Sequence, residues 1–263
     1  MSADKAAGGT DKMALVRDWV THHVQDSNEW HPLPGVAIHL PDWLTLHGLM
    51  FIIASAIVIL LFCVISKKNS RVPTGLTNML EAMVVFVRDD IAIPNIGEKD
   101  GMRLTPLLCT FFFLILTMNL MGLVPIFATA TSNIGITLGL ATITLAVMSI
   151  GAIVVNGPIG FFKAFIPHGL PIAIVPFIFF IEFLGMFIKA FALTIRLFAN
   201  MFAGHIIIFA FLGMFVVFGV VGAPAIALAV GIYLLEILVA FLQAYIFTLL
   251  TAMFIGQVWH PAH

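Results

Sequence analysis

Three charged residues recur at intervals of seven in an otherwise apolar stretch of the chain: Glu182, Lys189 and Arg196. Seven residues make nearly two turns of an α-helix, so the three side chains fall on one stripe. Asn200, four residues beyond Arg196, lies on the same side. An arginine keeps its charge in every physiological state. We therefore expect Arg196 to attract a carboxylate and to bar the passage of protons.

A second apolar stretch carries Glu236 and Gln243, again seven residues apart. If the two stretches are antiparallel helices with Gln243 level with Arg196, Glu236 lies ~10.5 Å and His205 ~13.5 Å toward the same membrane face. Glu182 lies ~21 Å the other way. Glu and His side chains both exchange protons in a low-dielectric site. Proton-exchanging groups are thus predicted on both sides of one permanent positive charge.

The composition indicates that lipid is the main solvent. The chain has 263 residues, of which 61% are hydrophobic and only 10% charged, against ~25% charged in a soluble domain. The net charge of −1 excludes a nucleic-acid partner, which requires a basic face. Cys63 and Cys109 lie in apolar runs, so neither a disulfide nor a metal site is expected, and no phosphate-binding loop of the GxxxxGK[ST] type occurs. We expect no cofactor.

The first half of the chain predicts one span and one interfacial helix. Residues 43–66 carry no formal charge and are followed by Lys67, Lys68 and Arg71. Basic residues stay in the cytoplasm, so the polar extension 1–42 is placed outside, as a solvated tail or a short surface helix. Segment 74–93 has apolar residues at helical spacing with charges between them, which predicts an amphipathic helix at the inner interface.

The middle of the chain, from Leu104 to Phe162, contains no charged residue. Two spans are predicted, at 104–126 and 133–156, joined by a turn on the outer side. Lys163 then lies inside, as the alternation of spans requires.

The last segment, 164–263, predicts two helices that are too long for a bilayer. Helices over 176–213 and 224–258 would measure ~57 Å and ~52 Å, whereas the hydrocarbon layer is ~30 Å thick. The first helix is therefore either strongly tilted or broken near Gly204, and we infer a long, tilted antiparallel hairpin that ends in the cytoplasm. The predicted fold is an all-α integral membrane protein with five transmembrane helices and one amphipathic interfacial helix.

Three stretches resemble one protein family. Residues 195–205 (IRLFANMFAGH), 236–251 (EILVAFLQAYIFTLLT) and 117–125 (TMNLMGLVP) are similar to the signature helix, the last helix and the third membrane segment of the a subunit of F-type ATP synthase. Together with the order of spans, the resemblance covers nearly the whole chain after the polar extension.

The resemblance implies a non-catalytic stator subunit in a bacterial plasma (inner) membrane. Such a subunit packs beside a ring of c subunits and b-type peripheral stalk subunits within the whole F1F0 complex. Two half-channels deliver protons to and from the carboxylates of the ring.

Residue by residue, Arg196 matches the family's essential arginine, which separates the half-channels. His205 and Glu236 match the polar pair of the outer half-channel, in the swapped order that some bacterial members have. Gln243 matches the glutamine that faces the arginine, and Asn200 matches a half-channel asparagine. Glu182 matches the acidic group of the inner half-channel, with Lys189 a weaker candidate.

Other interpretations stay open. An ion-coupled secondary transporter or ion channel subunit is the second function class, although no repeat relates the two halves. A structural membrane subunit is the third. Lys189 either belongs to the pathway or extends to the inner interface as a structural residue. Protons are favoured over Na⁺ because His205 is a poor Na⁺ ligand, and the terminal His260 is assigned no role.

Overall fold

The computed structural model describes residues 29–33, 36–41, 44–66, 75–124, 126–166, 171 and 174–260. Within these ranges the chain forms seven α-helices and a two-stranded sheet, which confirms the all-helical class apart from one hairpin. Most of the predicted extension 1–42 and the basic residues that orient the first span (Lys67, Lys68 and Arg71) lie outside the described residues.

The strands are β1 (Glu29–Leu33) and β2 (Val36–His39), and the helices, in chain order, are α1 (Leu46–Ser66), α2 (Leu76–Phe86), α3 (Ile93–Ile96), α4 (Glu98–Gly122), α5 (Ile134–Lys163), α6 (Val175–Phe218) and α7 (Ala223–Trp259). A π-helical turn, Val87–Ala92, joins α2 to α3, and 3₁₀ turns occur at Ala130–Ser132 and Gly219–Gly222. Four segments are long and apolar enough to cross a membrane: Leu46–Cys63, Glu98–Gly122, Ile134–Lys163 and Val175–Trp259, the last containing both α6 and α7.

The expectation of a solvated tail or surface helix is wrong for residues 29–39. There β1 and β2 pair antiparallel, with Glu29 opposite His39. The Pro34-Gly35 dipeptide between the two strands is a turn signal that the helical interpretation overlooked. A two-stranded hairpin is barely stable alone, and here the Trp30 Nε1 also donates a hydrogen bond to the Ile126 carbonyl at 3.0 Å.

The segment predicted as an amphipathic helix contains α2 and the π-helical turn. Buried Leu80 and Ile91 alternate with exposed Glu81 and Asp90, so one side carries the apolar residues. In the π-helical turn, Arg88 donates hydrogen bonds to both carboxylate oxygens of Asp89, at 2.6 and 2.9 Å. This contact holds the pKa of the Asp89 carboxyl below its ordinary value.

Several helix boundaries differ from the predicted ones by three to seven residues, and two of them have identifiable reasons. Helix α4 begins at Glu98, six residues before the predicted start, because Glu98 and Asp100 in its first turn complement the positive end of the helix dipole. The predicted end of the following span at 156 coincides with a kink, since Gly157 has φ 73° and ψ 167°. Helix α5 continues beyond the kink to Lys163. Helix α6 runs without interruption through Gly204, so the alternative of a break there is wrong.

The chain divides into two compact units. Unit 1 contains the described residues up to Ala56 together with Leu116–Ile136 and Leu197–Leu242. Unit 2 contains Ile57–Ile115, Thr137–Arg196 and Gln243–His263. Helices α1, α4, α5, α6 and α7 each contribute a part to both units.

Unit 2 has an aromatic core and a tightly packed helix end. The rings of Phe111 and Phe247 meet edge to face with centroids 5.6 Å apart. The Trp259 ring lies where a Cβ on Gly151 would be, so only glycine fits at that position of α5. Asn156 donates hydrogen bonds to the Trp259 and Val258 carbonyls at 2.9 and 3.4 Å. These bonds satisfy carbonyls that the end of a helix leaves without partners.

Candidate functional site

In unit 1, His205 on α6 is held by acceptors at both ring nitrogens. Its Nδ1 lies 2.9 Å from the Met201 carbonyl oxygen, and its Nε2 lies 2.9 Å from the Gly122 carbonyl oxygen. The Thr129 hydroxyl is also 2.8 Å from Nε2. Carbonyl oxygens only accept hydrogen bonds. An imidazolium makes both carbonyl bonds, whereas a neutral imidazole with its hydrogen on Nδ1 keeps the bond to Met201 and accepts a hydrogen from the Thr129 hydroxyl at Nε2.

Glu236 on α7 faces this imidazole from the second helix. Glu236 is only 5% exposed, and its Oε1 lies 3.3 Å from His205 Nδ1. Neither carboxylate oxygen has a hydrogen bond within the described ranges. Since the Nδ1 hydrogen points to Met201, the His205–Glu236 contact is an electrostatic one rather than a hydrogen bond. His205 on α6 and Glu236 on α7 are therefore direct neighbours in unit 1.

Two glycines make this close approach possible. A Cβ on Gly204 would overlap the Oε1 atom of Glu236, and a Cβ on Gly122 would overlap the Thr129 side chain. Both positions are helical, so it is the missing side chain rather than an unusual backbone angle that matters. A side chain at either position would therefore displace Glu236 or Thr129 from the cluster.

A short polar segment, which we name the hydroxyl turn, supports the cluster. Its three hydroxyl residues, Thr129, Thr131 and Ser132, each contact a different helix. Thr131 donates to the Asn119 side chain on α4 at 2.8 Å, and Asn119 in turn donates to the Ala240 carbonyl on α7 at 3.4 Å. The sequence identified this segment only as a connecting turn, because serine and threonine carry no distinguishing spacing there.

Unit 2 holds a separate polar cavity with a volume of about 950 Å³. Its polar lining residues are Asn95, Glu182, Lys189, Gln257 and His260. Lys189 Nζ donates a hydrogen bond to Gln257 Oε1 at 2.8 Å and lies 5.4 Å from the centre of the Phe254 ring. The predicted pair of Glu182 and Lys189 therefore lines one cavity, and the amide partners Gln257 and Asn95 were not identified from the sequence.

His260 also contacts a charged group, although the sequence assigned it no role. Its Nε2 lies 3.2 Å from Asp100 Oδ2 at the start of α4, and the imidazole is about half exposed. Within the described part of the chain, no group of three or more His, Cys, Asp or Glu residues is arranged to hold a metal ion.

Arg196 ends the α6 portion of unit 2, and its side chain is exposed. It makes no hydrogen bond or ion pair with any residue that the structure describes. Gln243, predicted to lie level with it, is only 4% exposed, and its Nε2 has no described partner. Asn200 is half-buried in unit 1. A permanently charged side chain thus projects outward from an apolar helix.

Comparison with known proteins places the chain in a family. The profile of the family described as ATP synthase A chain matches residues 48–256, which include both helices of the hairpin.

The chain belongs to the ATP synthase A chain family.

Several relatives in this family carry the name ATP synthase subunit a. The one from Anaeromyxobacter dehalogenans is 45% identical over 217 residues, and the match covers 81% of this chain and 57% of the relative. The one from Chloroherpeton thalassium is 45% identical over 262 residues, covering 92% of this chain and 77% of the relative. ATP synthase subunit a 2 of Prosthecochloris aestuarii is 39% identical, covering 100% and 85%. The chain therefore spans little more than half the length of the Anaeromyxobacter relatives.

Proposed function

We propose that the chain is the proton-conducting, non-catalytic a subunit of an F-type ATP synthase, working beside a ring of c subunits and b-type stalk subunits. Membership of the ATP synthase A chain family supports this assignment. The physical support comes from Arg196. A charge near mid-bilayer costs at least ~2.5–3.5 kcal/mol, and the described part of the chain offers this arginine no counter-charge. We therefore assign its counter-charge to a neighbouring chain.

The partner that fits is a carboxylate in a neighbouring apolar helix. An exposed guanidinium on the outer face of α6 attracts an ionised carboxylate and repels a free proton. A ring of c subunits, each with one mid-membrane carboxyl group, supplies such a partner repeatedly. Arg196 thereby favours release of the proton from each carboxyl group that arrives and separates the two access paths.

The outer path is assigned to the cluster in unit 1. His205 Nδ1 and Glu236 Oε1 lie 3.3 Å apart, so a small side-chain rotation that turns the Nδ1 hydrogen from Met201 to Oε1 allows a proton to pass between them without diffusing through open water. Imidazole and carboxylate are proton carriers, and an imidazole surrounded by carbonyl acceptors is a poor ligand for Na⁺. The transported ion is therefore the proton.

The inner path is assigned to the cavity in unit 2. A volume of about 950 Å³ with amide, carboxylate and ammonium side chains holds water, which carries protons between Glu182 and the cytoplasm. Glu182 and Lys189 do not form an ion pair with each other, since Lys189 donates to Gln257. Glu182 is the one carboxylate among the lining residues, and we assign it as the acid of the inner path.

In the proposed topology, α6 and α7 each cross the bilayer, which makes five transmembrane helices with α1, α4 and α5. The segment containing α2 lies at the inner interface, and the membrane is the bacterial inner membrane. The N-terminal side of α1 is outside, and α7 ends in the cytoplasm.

The decisive experiment replaces Arg196 with alanine in the assembled synthase. Proton-driven ATP synthesis in energised vesicles is expected to fall at least ~100-fold, because removal of a preorganised charge has effects of this size. Arg103→Ala, which removes an arginine whose side chain is 73% exposed, is the matched control. Wild-type synthesis by the Arg196→Ala enzyme would refute the proposal.

Co-purification separates this function from a secondary transporter. The a subunit should purify with a ring of small proteolipids and a soluble ATPase, whereas a transporter would purify alone or as a homo-oligomer.

A further inference from the structure

A second buried imidazole lies beside the hydroxyl turn and has no part in the proposed mechanism. His47, in the first turn of α1, is only 2% exposed. Its Nε2 lies 3.3 Å from the hydroxyl of Ser132, the last residue of the turn. His47 and His205 therefore contact the same four-residue segment, one at each end.

Each imidazole faces a hydroxyl group that can either donate or accept. The Ser132 hydroxyl donates to the Thr129 carbonyl at 2.7 Å, and in that orientation it accepts a hydrogen from His47 Nε2. Rotated, the same hydroxyl donates to an unprotonated Nε2. The Thr129 hydroxyl has the same choice toward His205 Nε2 at 2.8 Å. The turn thus accommodates both imidazoles with and without a proton.

Among the titratable side chains of unit 1 that the structure describes, His47 is the buried one to which the proposed function assigns no role. The described ones are Glu29, His39, His47, His205, Tyr233 and Glu236. His39 pairs with Glu29 in the hairpin at 3.2 Å, and Tyr233 donates to the Leu123 carbonyl at 3.1 Å. His205 and Glu236 form the cluster already described.

We infer that His47 is a proton-exchanging residue of the outer path, which supplies protons to His205 by way of the hydroxyl turn. The inference rests on the proposed function. In the transfer, the His47 imidazolium loses one proton and becomes neutral, and a His205 that has passed a proton to Glu236 gains one. Water carries the proton between the Ser132 and Thr129 hydroxyls, which end with the hydrogens they began with.

If His47 only supported the fold, its replacement would have a different effect than if it exchanged protons. The variant His47→Gln distinguishes these two roles. The amide of a glutamine at position 47 reaches the place of Nε2 and keeps the hydrogen bond to Ser132, but it does not titrate. His47→Gln therefore preserves a packing role and removes a proton-exchange role. His39→Gln makes the same chemical change at a side chain that is 76% exposed and serves as the matched control.

The test is proton flux through the assembled synthase in vesicles, measured between outer pH 5.5 and 8.5 and normalised to assembled complex. At the acidic end protons are abundant outside, so His47→Gln is expected to stay within about twofold of wild type. At the alkaline end, where uptake limits the flux, the deficit is expected to grow to about tenfold, less than the ~100-fold lower range for a group that reacts directly, because His47 acts upstream of His205. His39→Gln should match wild type throughout.

Two results would overturn the inference. A deficit that is constant at every outer pH would mean that His47 only holds the turn in place, and an unchanged flux would mean that it has neither role. Both results leave the proposed function standing if Arg196→Ala remains inactive. A fully active Arg196→Ala enzyme would instead remove the function on which the inference depends.

Discussion

The polar cluster in unit 1 and the polar cavity in unit 2 differ in how closely their acidic side chains are packed. In unit 1, His205 and Glu236 touch each other and two glycines, with no room for an added methyl group. In unit 2, Glu182 lines a cavity of about 950 Å³, and the nearby Lys189 is bonded to an amide rather than to the acid. Direct transfer between packed groups depends on fractions of an ångström, whereas transfer through water depends on which groups titrate. Mutations should therefore act through geometry in the first region and through charge in the second.

Among the variants that test this comparison, Glu236→Gln is expected to reduce proton flux the most. Glutamine has nearly the same shape and still fits against Gly204, so the change removes the proton-binding group without disturbing the packing. Proton flux through the assembled complex should fall at least ~100-fold. A loss below about threefold would mean that the buried carboxylate serves only to balance charge.

Gly204→Ala tests the geometric half of the comparison. The new Cβ would overlap Oε1 of Glu236, and overpacking of this kind costs about 1–3 kcal/mol. Displacement of the carboxylate from His205 should reduce proton flux about tenfold, which corresponds to about 1.4 kcal/mol. Gly185→Ala, on the same helix with nothing within 4 Å of the added Cβ, is the control. Equal fluxes in the two variants would show that the tight contact is unimportant.

Lys189→Met is expected to reduce proton flux the least. It also decides whether Lys189 belongs to the proton pathway or is a structural residue. Its Nζ donates to Gln257 rather than to an acid, so its loss removes one net hydrogen bond of about 1 kcal/mol. Flux should fall less than about threefold. The double variant with Gln257→Leu should be no less heat-stable than Lys189→Met alone, because the bond is already broken. A loss of flux as large as that of Glu236→Gln would instead place Lys189 in the proton path.

The sequence predicted the features that depend on helical periodicity. Charge-free runs indicate the apolar helices, and helical rise puts Glu236 and His205 at similar depth if Gln243 is set level with Arg196; the two side chains are in contact at 3.3 Å. The early start of α4 was missed because charges such as Glu98 were treated as a boundary, although acidic residues stabilise the first turn of a helix.

The supporting contacts were not predictable, because they join residues that are far apart in sequence and common in type. Ser132 and His47 are 85 positions apart, and Lys189 and Gln257 are 68 apart. Neither spacing follows a helical repeat, and single threonines, serines and glutamines occur throughout apolar helices without special function. Only the three-dimensional arrangement identifies which of them meet.

The packing of Trp259 against Gly151 has a consequence for biosynthesis. Unit 2 is discontinuous, and its last segment begins only at Gln243. The last described turns of the chain supply the carbonyl groups that Asn156 binds. They also supply the Trp259 indole, which packs against Gly151 of α5. Until residue 259 has been synthesised, α5 therefore lacks the indole that packs against Gly151 and the carbonyl that Asn156 binds. Unit 2 completes its fold only after those residues have been made.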